Sequence, residues 1–441
     1  PRSGELVELV RRVLEAHDLE MPWDDLTGDA RRIAEALVRS VDVRRIRALE
    51  IVKLTFFRGL GAYRVGRILT DGAPVPLLLA FRNANGRVLV DAVLTSEDEV
   101  SMVFSFARSY FLVSHSRPRD LVDYLRLIMP RKPIAELYAA IGHHRHGKTE
   151  LYRSLLHHLA STDECFTIAP GTRGMVMCVF HLPGFDVVFK IIRDRFDPPK
   201  TVTHDEVRAK YRFVFRHDRA GRLADVQEFE HLTFPRDRFE PELLEQLLRL
   251  AGETVHVEGD MVVLRHLYTE RRLRPLDLYL REVEPAAARA AIVDYGQALR
   301  DLAATNIFPG DLLPKNFGVS RHGRLIFYDY DELATLAECH FRELPAAAAD
   351  GDDTAGEPWY YVGERDIFPE EFRTFLGLRG ETLATFLDHH AELLGVAWWH
   401  RMQAIHARGE VPDVLPYPAS RRLRSGATDP AAPAAPQPFQ E

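Results

Sequence analysis

NIFPGDLLPKNFGV, residues 306–319, carries the pattern from which the architecture of the second half of the chain follows. It comes directly after a long helical pattern, and Asp311 precedes Asn316 by five residues. Two apolar runs, FGVS and RLIFY, then flank the turn residues around Gly323 and end in Asp329-Tyr-Asp-Glu332. Because a hairpin returns the chain to its starting point, we expect Asp329 to lie beside the loop that carries Asp311 and Asn316.

The spacing of these polar residues is typical of phosphoryl transfer. Protein kinases place a catalytic aspartate and a Mg²⁺-binding asparagine five residues apart, and a metal-bridging aspartate follows in the DFG motif. Asp311, Asn316 and Asp329 are the corresponding candidates, with Asp331 as the rival for the metal-bridging role. The loop lacks the usual His-Arg pair and YDYDE lacks the glycine of DFG, so the pattern indicates a divergent kinase.

Residues 164–192 predict the nucleotide-binding strands of such a protein. The runs CFTIAP, GMVMCVFHL and DVVFKII are short, apolar and separated by Pro and Gly. Lys190 in the third run is predicted to contact the α- and β-phosphates, because a lysine within an apolar strand requires an anionic partner. Glu206, in a helix capped by Thr203, is the candidate partner. The predicted glycine-rich loop, whose backbone amides can approach phosphate oxygens, consists of Ala169, Pro170, Gly171, Thr172, Arg173, Gly174 and Met175.

The predicted fold class is α+β, with a bilobal, eukaryotic-protein-kinase-like catalytic domain after a mainly helical N-terminal domain. We place this first domain at 1–162, the small lobe at about 163–270 and the large lobe at 271–424. Within the first domain, residues 1–72 have helical periodicity, 75–94 form a hairpin turning at Asn85-Gly86, and a helix capped by Ser96 extends to about Val113. The Ala/Pro-rich residues 425–441 predict a disordered tail.

A second phosphate-binding pattern, GHHRHGKT at residues 142–149, matches the P-loop letters GxxxxGK[ST]. A P-loop requires a buried strand before its first glycine. The residues before Gly142, IAELYAAI, are helical in pattern, so we predict a turn between two helices. The histidines His143, His144 and His146 have no carboxylate or cysteine at ligand spacing, which favours a surface cluster over a metal site.

Bulk composition excludes few classes of protein. The 441 residues are 46% hydrophobic with a formal net charge of −8, so no nucleic-acid partner is predicted. The basic residues between Arg208 and Arg222 are interpreted as a solvated helix face. The three cysteines are irregularly spaced, which favours a reducing, cytoplasmic compartment. No apolar run of roughly 18 residues predicts a membrane span.

Long stretches of the chain resemble the bacterial isocitrate dehydrogenase kinase/phosphatases. These stretches include DAVLTSEDEVSMVFSFARSYF, IMPRKPIAELY, HGKTELYR, APGTRGMVM, VFKIIRDRF, GRLADVQEFE, NIFPGDLLPKNFGV and FYDYDE. The resemblance implies an enzyme that phosphorylates a serine of isocitrate dehydrogenase with ATP and Mg²⁺ and also removes that phosphate. This switch directs carbon between the tricarboxylic acid cycle and the glyoxylate bypass. Family members are longer at the N-terminus, which places Pro1 inside the regulatory domain.

The resemblance also implies roles for single residues. It assigns ATP binding to the loop from Ala169 to Met175 and to Lys190, kinase catalysis to Asp311, and metal binding to Asn316 and Asp329. Asp225, in GRLADVQEFE, matches an active-site aspartate tied to dephosphorylation, a role that spacing alone does not favour over a solvated acidic turn. No second hydrolytic motif is visible, so both reactions are predicted to share one site that holds ATP or ADP. The first domain is implied to bind AMP as a regulator, and a homodimer is left open.

Two other functions compete with this interpretation. A small-molecule phosphotransferase of the same fold would also need Asp311, Asn316 and Asp329, but not a large N-terminal domain. A non-catalytic nucleotide sensor would explain the altered motifs around Asp311 and Asp329. The retained lysine, aspartates and asparagine favour an enzyme.

Overall fold

The elements of the chain form two separate units in the structure, a computed structural model. It describes residues 3–16, 19–106, 109–171, 173–198, 200–345, 361–363, 365–410 and 412–424. The described residues within 1–157 and 415–424 belong to the first unit, and those within 158–414 belong to the second. The segment 415–424, predicted as the end of the catalytic domain, therefore packs with the first unit. The predicted disordered tail, 425–441, lies outside the described residues.

An antiparallel sheet forms the centre of the first unit. Its strand order is β1-β3-β4-β5, and β2 pairs with the other end of β3. The strands are β1 (Ile46–Ile51), β2 (Phe56–Arg58), β3 (Gly61–Thr70), β4 (Val75–Ala84) and β5 (Arg87–Leu94). The predicted hairpin is confirmed, and Asn85 and Gly86 both have the positive φ angles that its tight turn requires. The prediction of helices through residue 72 was wrong for residues 46–70.

Helices cover both faces of this sheet, because β4 is apolar on both sides. Leu77 and Leu79 pack against α1 and α2, whereas Leu78 and Ala80 pack against α3, α4 and α5. The helices are α1 (Ser3–Glu15), α2 (Leu26–Ser40), α3 (Glu97–Val103), α4 (Pro118–Ile128), α5 (Ile134–Ala140) and α6 (His144–Ser161), whose last turn belongs to the second unit. Ser96 caps α3 as predicted, but the helix ends at Val103 rather than near Val113.

The P-loop-like pattern lies at the turn between α5 and α6. Gly142 has φ +85°, and α6 begins two residues later at His144. The prediction of an inter-helix turn is confirmed. The histidine rings contact each other and neighbouring tyrosines, with His115 stacked on His143 and His146 on Tyr138. Among the described residues, no group of three or more His, Cys, Asp or Glu side chains is arranged to hold a metal ion.

The second unit begins with a six-stranded sheet and two helices, which we call the small lobe. The strand order is β10-β11-β8-β7-β6, and β9 pairs with β11. The strands are β6 (Thr167–Ile168), β7 (Met177–His181), β8 (Val187–Ile192), β9 (Val226–Pro235), β10 (Val255–Glu258) and β11 (Met261–Arg271). Helix α7 (His204–His217) follows β8 with the predicted capping box at Thr203, and α8 (Pro241–Leu250) follows β9. Arg208, Arg212, Arg216 and Arg219 are exposed on or beside α7, as predicted, but Arg222 is buried.

The remaining elements form the large lobe, whose apolar core continues into the small lobe through residues such as Tyr211 and Tyr268. Its longest helix, α10, ends at Ala304 just before the loop that carries Asp311. The strands are β12 (Arg274–Pro275), β13 (Phe317–Val319), β14 (Leu325–Phe327), β15 (His340–Phe341) and β16 (Asp366–Ile367). The helices are α9 (Leu276–Glu282), α10 (Pro285–Ala304), α11 (Phe372–Phe375), α12 (Gly380–His390) and α13 (Val396–Ala407). No helix among the described residues combines the length and apolar character needed to cross a bilayer.

Candidate functional site

The hairpin β13–β14 brings the loop that carries Asp311 and Asn316 next to residues 329–332, which we call the acidic segment. Phe317 pairs with Phe327 at its open end, and Tyr328 N donates to Asn316 O at 3.1 Å. Asp329 therefore follows directly beside Asn316, as the sequence predicts. A two-residue bridge between Phe308 and Ala334 fixes the chain on the other side of the acidic segment.

Gly310 makes the close approach of these segments possible. Its φ is +82°, a conformation that favours glycine. A Cβ atom at this position would lie 2.5 Å from both Cβ and the carbonyl oxygen of Glu332. The glycine that stands directly before Asp311 is therefore required by packing against Glu332.

Asp311 and Asn316 are held by contacts within their own loop. Asp311 Oδ1 accepts from Leu313 N at 2.9 Å, and Asn316 Nδ2 donates to Asp311 O at 3.3 Å. Asp311 remains half-buried and its Oδ2 lies 3.9 Å from Lys315 Nζ, so this carboxylate can accept a proton from a bound hydroxyl group. Asn316 is buried, and the direction of its amide leaves Oδ1 to act as a metal ligand.

Lys190 is fixed by a buried ion pair within the small-lobe sheet. Its Nζ lies 2.8 Å from Glu270 Oε2 and donates to Tyr328 O at 2.9 Å. The register places Lys190 opposite Tyr268, so Glu270 is its diagonal neighbour on the same face of β8 and β11. Burial raises the pKa of Glu270, and the adjacent Lys190 opposes this effect.

Glu206 does not contact Lys190, which corrects the prediction. Its carboxylate is exposed and accepts hydrogen bonds from the backbone N–H and hydroxyl of Thr203, completing the helix cap. Helix α7 contributes Tyr211 instead, whose ring stacks on Tyr268 at 3.9 Å. The sequence signal for Glu270 was a lone carboxylate at the end of the buried run 267–270 of β11.

A cavity of about 400 Å³ connects these groups. This volume is within the range of small-molecule sites. The predicted site residues that line it are Ala169, Pro170, Gly171, Arg173, Gly174, Met175, Lys190, Asp311, Asn316 and Asp329. Asp331, the rival metal ligand, lines it as well. Thr172 lies outside the described residues.

The cavity has an apolar end and a charged end. The apolar side chains are Ile168, Val176, Met177, Val179, Val188 and Leu273. Gly171, with φ +119°, is in the loop that covers the cavity, where an L side chain would be strained. A flat base fits between the apolar side chains, and phosphate groups fit between the glycine-rich loop and Lys190. ATP or ADP therefore matches both ends.

The acidic end of the cavity fits a divalent cation. Burial raises the pKa of Asp329, and repulsion from Asp311 and Glu332 adds to that shift. Burial and repulsion from Asp329 raise the pKa of Asp331 to about 6. A bound cation would relieve this repulsion. Mg²⁺ commonly uses one or two protein carboxylates and completes its shell with water and substrate phosphates. Asn316 and Asp329 can supply such a partial set of oxygen ligands.

Asp225 lies outside the cavity lining. It precedes β9 next to Ala224, whose N–H donates to Phe327 O at 3.1 Å. Its negative charge contributes to the raised pKa values of Glu270 and Tyr330, so its charge reaches both of these groups.

Comparisons with known proteins cover both units. Residues 164–419 match the family described as "Isocitrate dehydrogenase kinase/phosphatase (AceK) kinase domain", and residues 1–163 match the corresponding "regulatory domain" family. An isocitrate dehydrogenase kinase/phosphatase of Anaeromyxobacter sp. (strain Fw109-5) is 51% identical over 95% of this chain and 73% of its own length. That of Anaeromyxobacter dehalogenans (strain 2CP-C) is 52% identical over 96% and 75%.

Among solved structures, the kinase domain of ROP18 in complex with AMP-PNP and sucrose is 13% identical. The similarity covers 38% of this chain and 52% of that one with a TM-score of 0.26, which is too low to support any argument.

Proposed function

The chain belongs to the isocitrate dehydrogenase kinase/phosphatase family, and from this premise we propose that it phosphorylates and dephosphorylates isocitrate dehydrogenase. The observation that carries the proposal is the single cavity that joins Lys190, Asp311, Asn316 and Asp329. Through this modification the enzyme controls flux between the tricarboxylic acid cycle and the glyoxylate bypass.

In the kinase reaction, the glycine-rich loop and Lys190 hold the phosphates of ATP while Asp311 receives the proton of a serine hydroxyl. The serine oxygen forms a bond to the γ-phosphorus, the bond to the β–γ bridging oxygen breaks, and ADP leaves. Asn316 and Asp329 would hold Mg²⁺, which neutralises charge on the phosphates. The buried Lys190–Glu270 pair keeps the lysine in place before nucleotide binds.

We propose that the phosphatase reaction uses the same nucleotide site with ADP or ATP bound. Water then attacks the phosphoserine phosphorus, the bond to the serine oxygen breaks, and phosphate is released. The absence of a second hydrolytic motif in the sequence supports this proposal. The role of Asp225 in dephosphorylation and regulation by AMP stay predictions from family resemblance. The cytoplasmic location stays a prediction from cysteine usage, and a homodimer stays open.

The decisive experiment combines the purified chain with isocitrate dehydrogenase, Mg²⁺ and labelled ATP. We expect serine phosphate to appear while dehydrogenase activity falls, and Asp311→Ala to abolish the incorporation. Replacing ATP by ADP and AMP should then release the phosphate and restore the dehydrogenase. Nucleotide binding without any turnover would favour the sensor function instead. Phosphate release that survives in the Lys190→Met, Asp329→Ala double variant would contradict the shared site.

A further inference from the structure

Three lysines of the small lobe contact the segment that follows β14. Lys190 Nζ donates to Tyr328 O, and Lys210 Nζ donates to Leu333 O. Lys200, in the loop between β8 and α7, lies 2.8 Å from Glu332 Oε1 and 3.7 Å from Asp331 Oδ2. Lys200 is thus the lysine whose partners are the carboxylates at the acidic end of the cavity.

Lys200 lies in the cavity wall, between the half-exposed Glu332 and the more buried Asp331. Its side chain is 17% exposed and lines the cavity, and that of Asp331 is 14% exposed. Asp311, Asp329, Asp331 and Glu332 all line the same cavity, so negative charge is concentrated there. The Lys200 ammonium group therefore occupies a place for which a divalent cation would compete.

We propose that Lys200 has two alternating partners: it neutralises Asp331 and Glu332 in the metal-free protein and contacts the terminal phosphate once metal and nucleotide are bound. The proposal rests on the nucleotide site described under Proposed function. A cation near Asp331 weakens the attraction of Lys200 to that carboxylate, and the incoming phosphate brings new negative charge into the cavity. The lysine stem is flexible and its ammonium binds phosphate as a point charge.

If Lys200 alternates between two partners, removing its charge should change the affinity for the metal and the affinity for the nucleotide in opposite directions. In Lys200→Gln, Mn²⁺ alone should bind about 3-fold to 10-fold more tightly because a competing cation is gone. Binding of ATP with Mn²⁺ should weaken by about 10-fold because a phosphate contact is lost. Adenosine, which carries no phosphate, should bind with unchanged affinity.

The test is calorimetric titration of the full chain with Mn²⁺, with ATP plus Mn²⁺, and with adenosine. Lys200→Arg keeps the charge and should retain most of both affinities. Arg216→Gln is the matched control, since it removes one positive charge from the exposed face of α7. Lys200→Met keeps the apolar stem and provides a second variant with the same expected result if the glutamine variant is unstable.

Two results would overturn the proposal. Equal losses of Mn²⁺ and ATP affinity, or a loss for adenosine as well, would mean that Lys200 only tethers the acidic segment. Unchanged affinities for all three ligands would mean that it contacts none of them. If the unaltered chain fails to bind ATP, the proposed nucleotide site itself is wrong, which is a distinguishable outcome.

Discussion

Glu206 was the predicted partner of Lys190, but the structure pairs the lysine with Glu270, and the two glutamates have different physical roles. Glu270 is 2% exposed and forms the ion pair, whereas Glu206 only caps α7 at the protein surface. Because β8 and β11 belong to one sheet, the position of Lys190 does not depend on where α7 lies. The lysine is held by strand register rather than by a residue on α7.

Glu270→Gln should therefore impair catalysis far more than Glu206→Gln. Removing the Glu270 charge takes away the closest anionic partner of the buried Lys190 ammonium, and breaking such a pair costs about 3–5 kcal/mol. We expect ATP turnover to fall at least about 10-fold, the equivalent of about 1.4 kcal/mol. Glu206→Gln should cost at most about 1 kcal/mol of stability and leave turnover unchanged.

Steady-state kinetics and chemical denaturation of the two variants provide the measurement. The interpretation fails if Glu206→Gln reduces ATP turnover as strongly as Glu270→Gln, because α7 would then supply the lysine's partner during catalysis.

Gly310 allows a second comparison between matched positions. Gly310→Ala adds a Cβ in contact with Glu332 at a backbone φ of +82°, whereas Gly323→Ala adds one at φ +75° with no atom within 4 Å. The shared backbone strain costs about 1 kcal/mol at each position. Only Gly310→Ala should also displace the acidic segment, so we expect a loss of ATP turnover of about 10-fold or more. Equal ATP turnover in the two variants would contradict this prediction, because the contact between the added Cβ and Glu332 would then leave the acidic segment in place.

The proximity of Asp311, Asn316 and Asp329 could be predicted because their geometry is local. Asp311 and Asn316 belong to one loop, and a short hairpin returns Asp329 to that loop. Their spacing in the sequence was therefore enough to predict that they lie together. Glu270 and Lys200 could not be predicted in the same way. The first depends on the register between strands that are distant in sequence, and the second on a loop that reaches from one lobe to the other.

At the level of helices and strands, the main error fell on residues 46–70. β1 contains Arg47, Ala48, Leu49 and Glu50, which are good helix formers when considered alone. Pairing with β3, whose neighbour β4 is strongly apolar, outweighs that local preference. The hairpin of β4 and β5 was predictable because its turn residues and apolar runs agree with the tertiary fold.

The packing of α12 against α10 makes the second unit sensitive to acid. His390 is 4% exposed, and its Nε2 lies 2.8 Å from Val293 O on α10. Only a glycine at position 296 leaves room for the ring, because a Cβ there would lie 2.1 Å from its Cδ2 atom. Burial lowers the pKa of His390 from 6.5 to about 4.

Because the folded state disfavours protonated His390, the unfolded chain takes up this proton first as the pH falls. The contribution of neutral His390 to the free energy of unfolding is fully present above pH 6.5. It is lost as the pH falls from 6.5 to 4, by about 3 kcal/mol in total. Denaturation at several pH values, followed by tryptophan fluorescence, should show a shallower decline for His390→Gln. Identical pH profiles for the variant and the unaltered chain would exclude His390 as the cause.

Across the whole molecule, the chain returns to its first unit after completing its second. Arg422 pairs with Asp91 on β5 at 3.0 Å, and Tyr417 donates to the other oxygen of the same carboxylate at 2.8 Å. Arg424 reaches Asp29 on α2 at 2.9 Å. Asp91 and Asp29 are buried, so water does not solvate their carboxylates. The contacts from residues 415–424 therefore compensate these buried negative charges.

Ending the chain at residue 414 should thus destabilise the first unit while leaving the nucleotide site intact. Loss of the partners of Asp91 leaves an uncompensated buried carboxylate, for which we expect a cost of about 3–5 kcal/mol, and Arg422→Ala should reproduce much of it. The control is Arg408→Ala, which removes an exposed pair with Glu410 and should change stability by less than about 1 kcal/mol.

Limited proteolysis and ATP titration provide the measurements. Protease should cut the shortened chain first within residues 1–157. Its affinity for ATP should stay within about 2-fold of the full chain's, because Lys190 and Asp329 lie in the other unit. A first unit that resists protease equally with and without residues 415–424 would contradict this assignment.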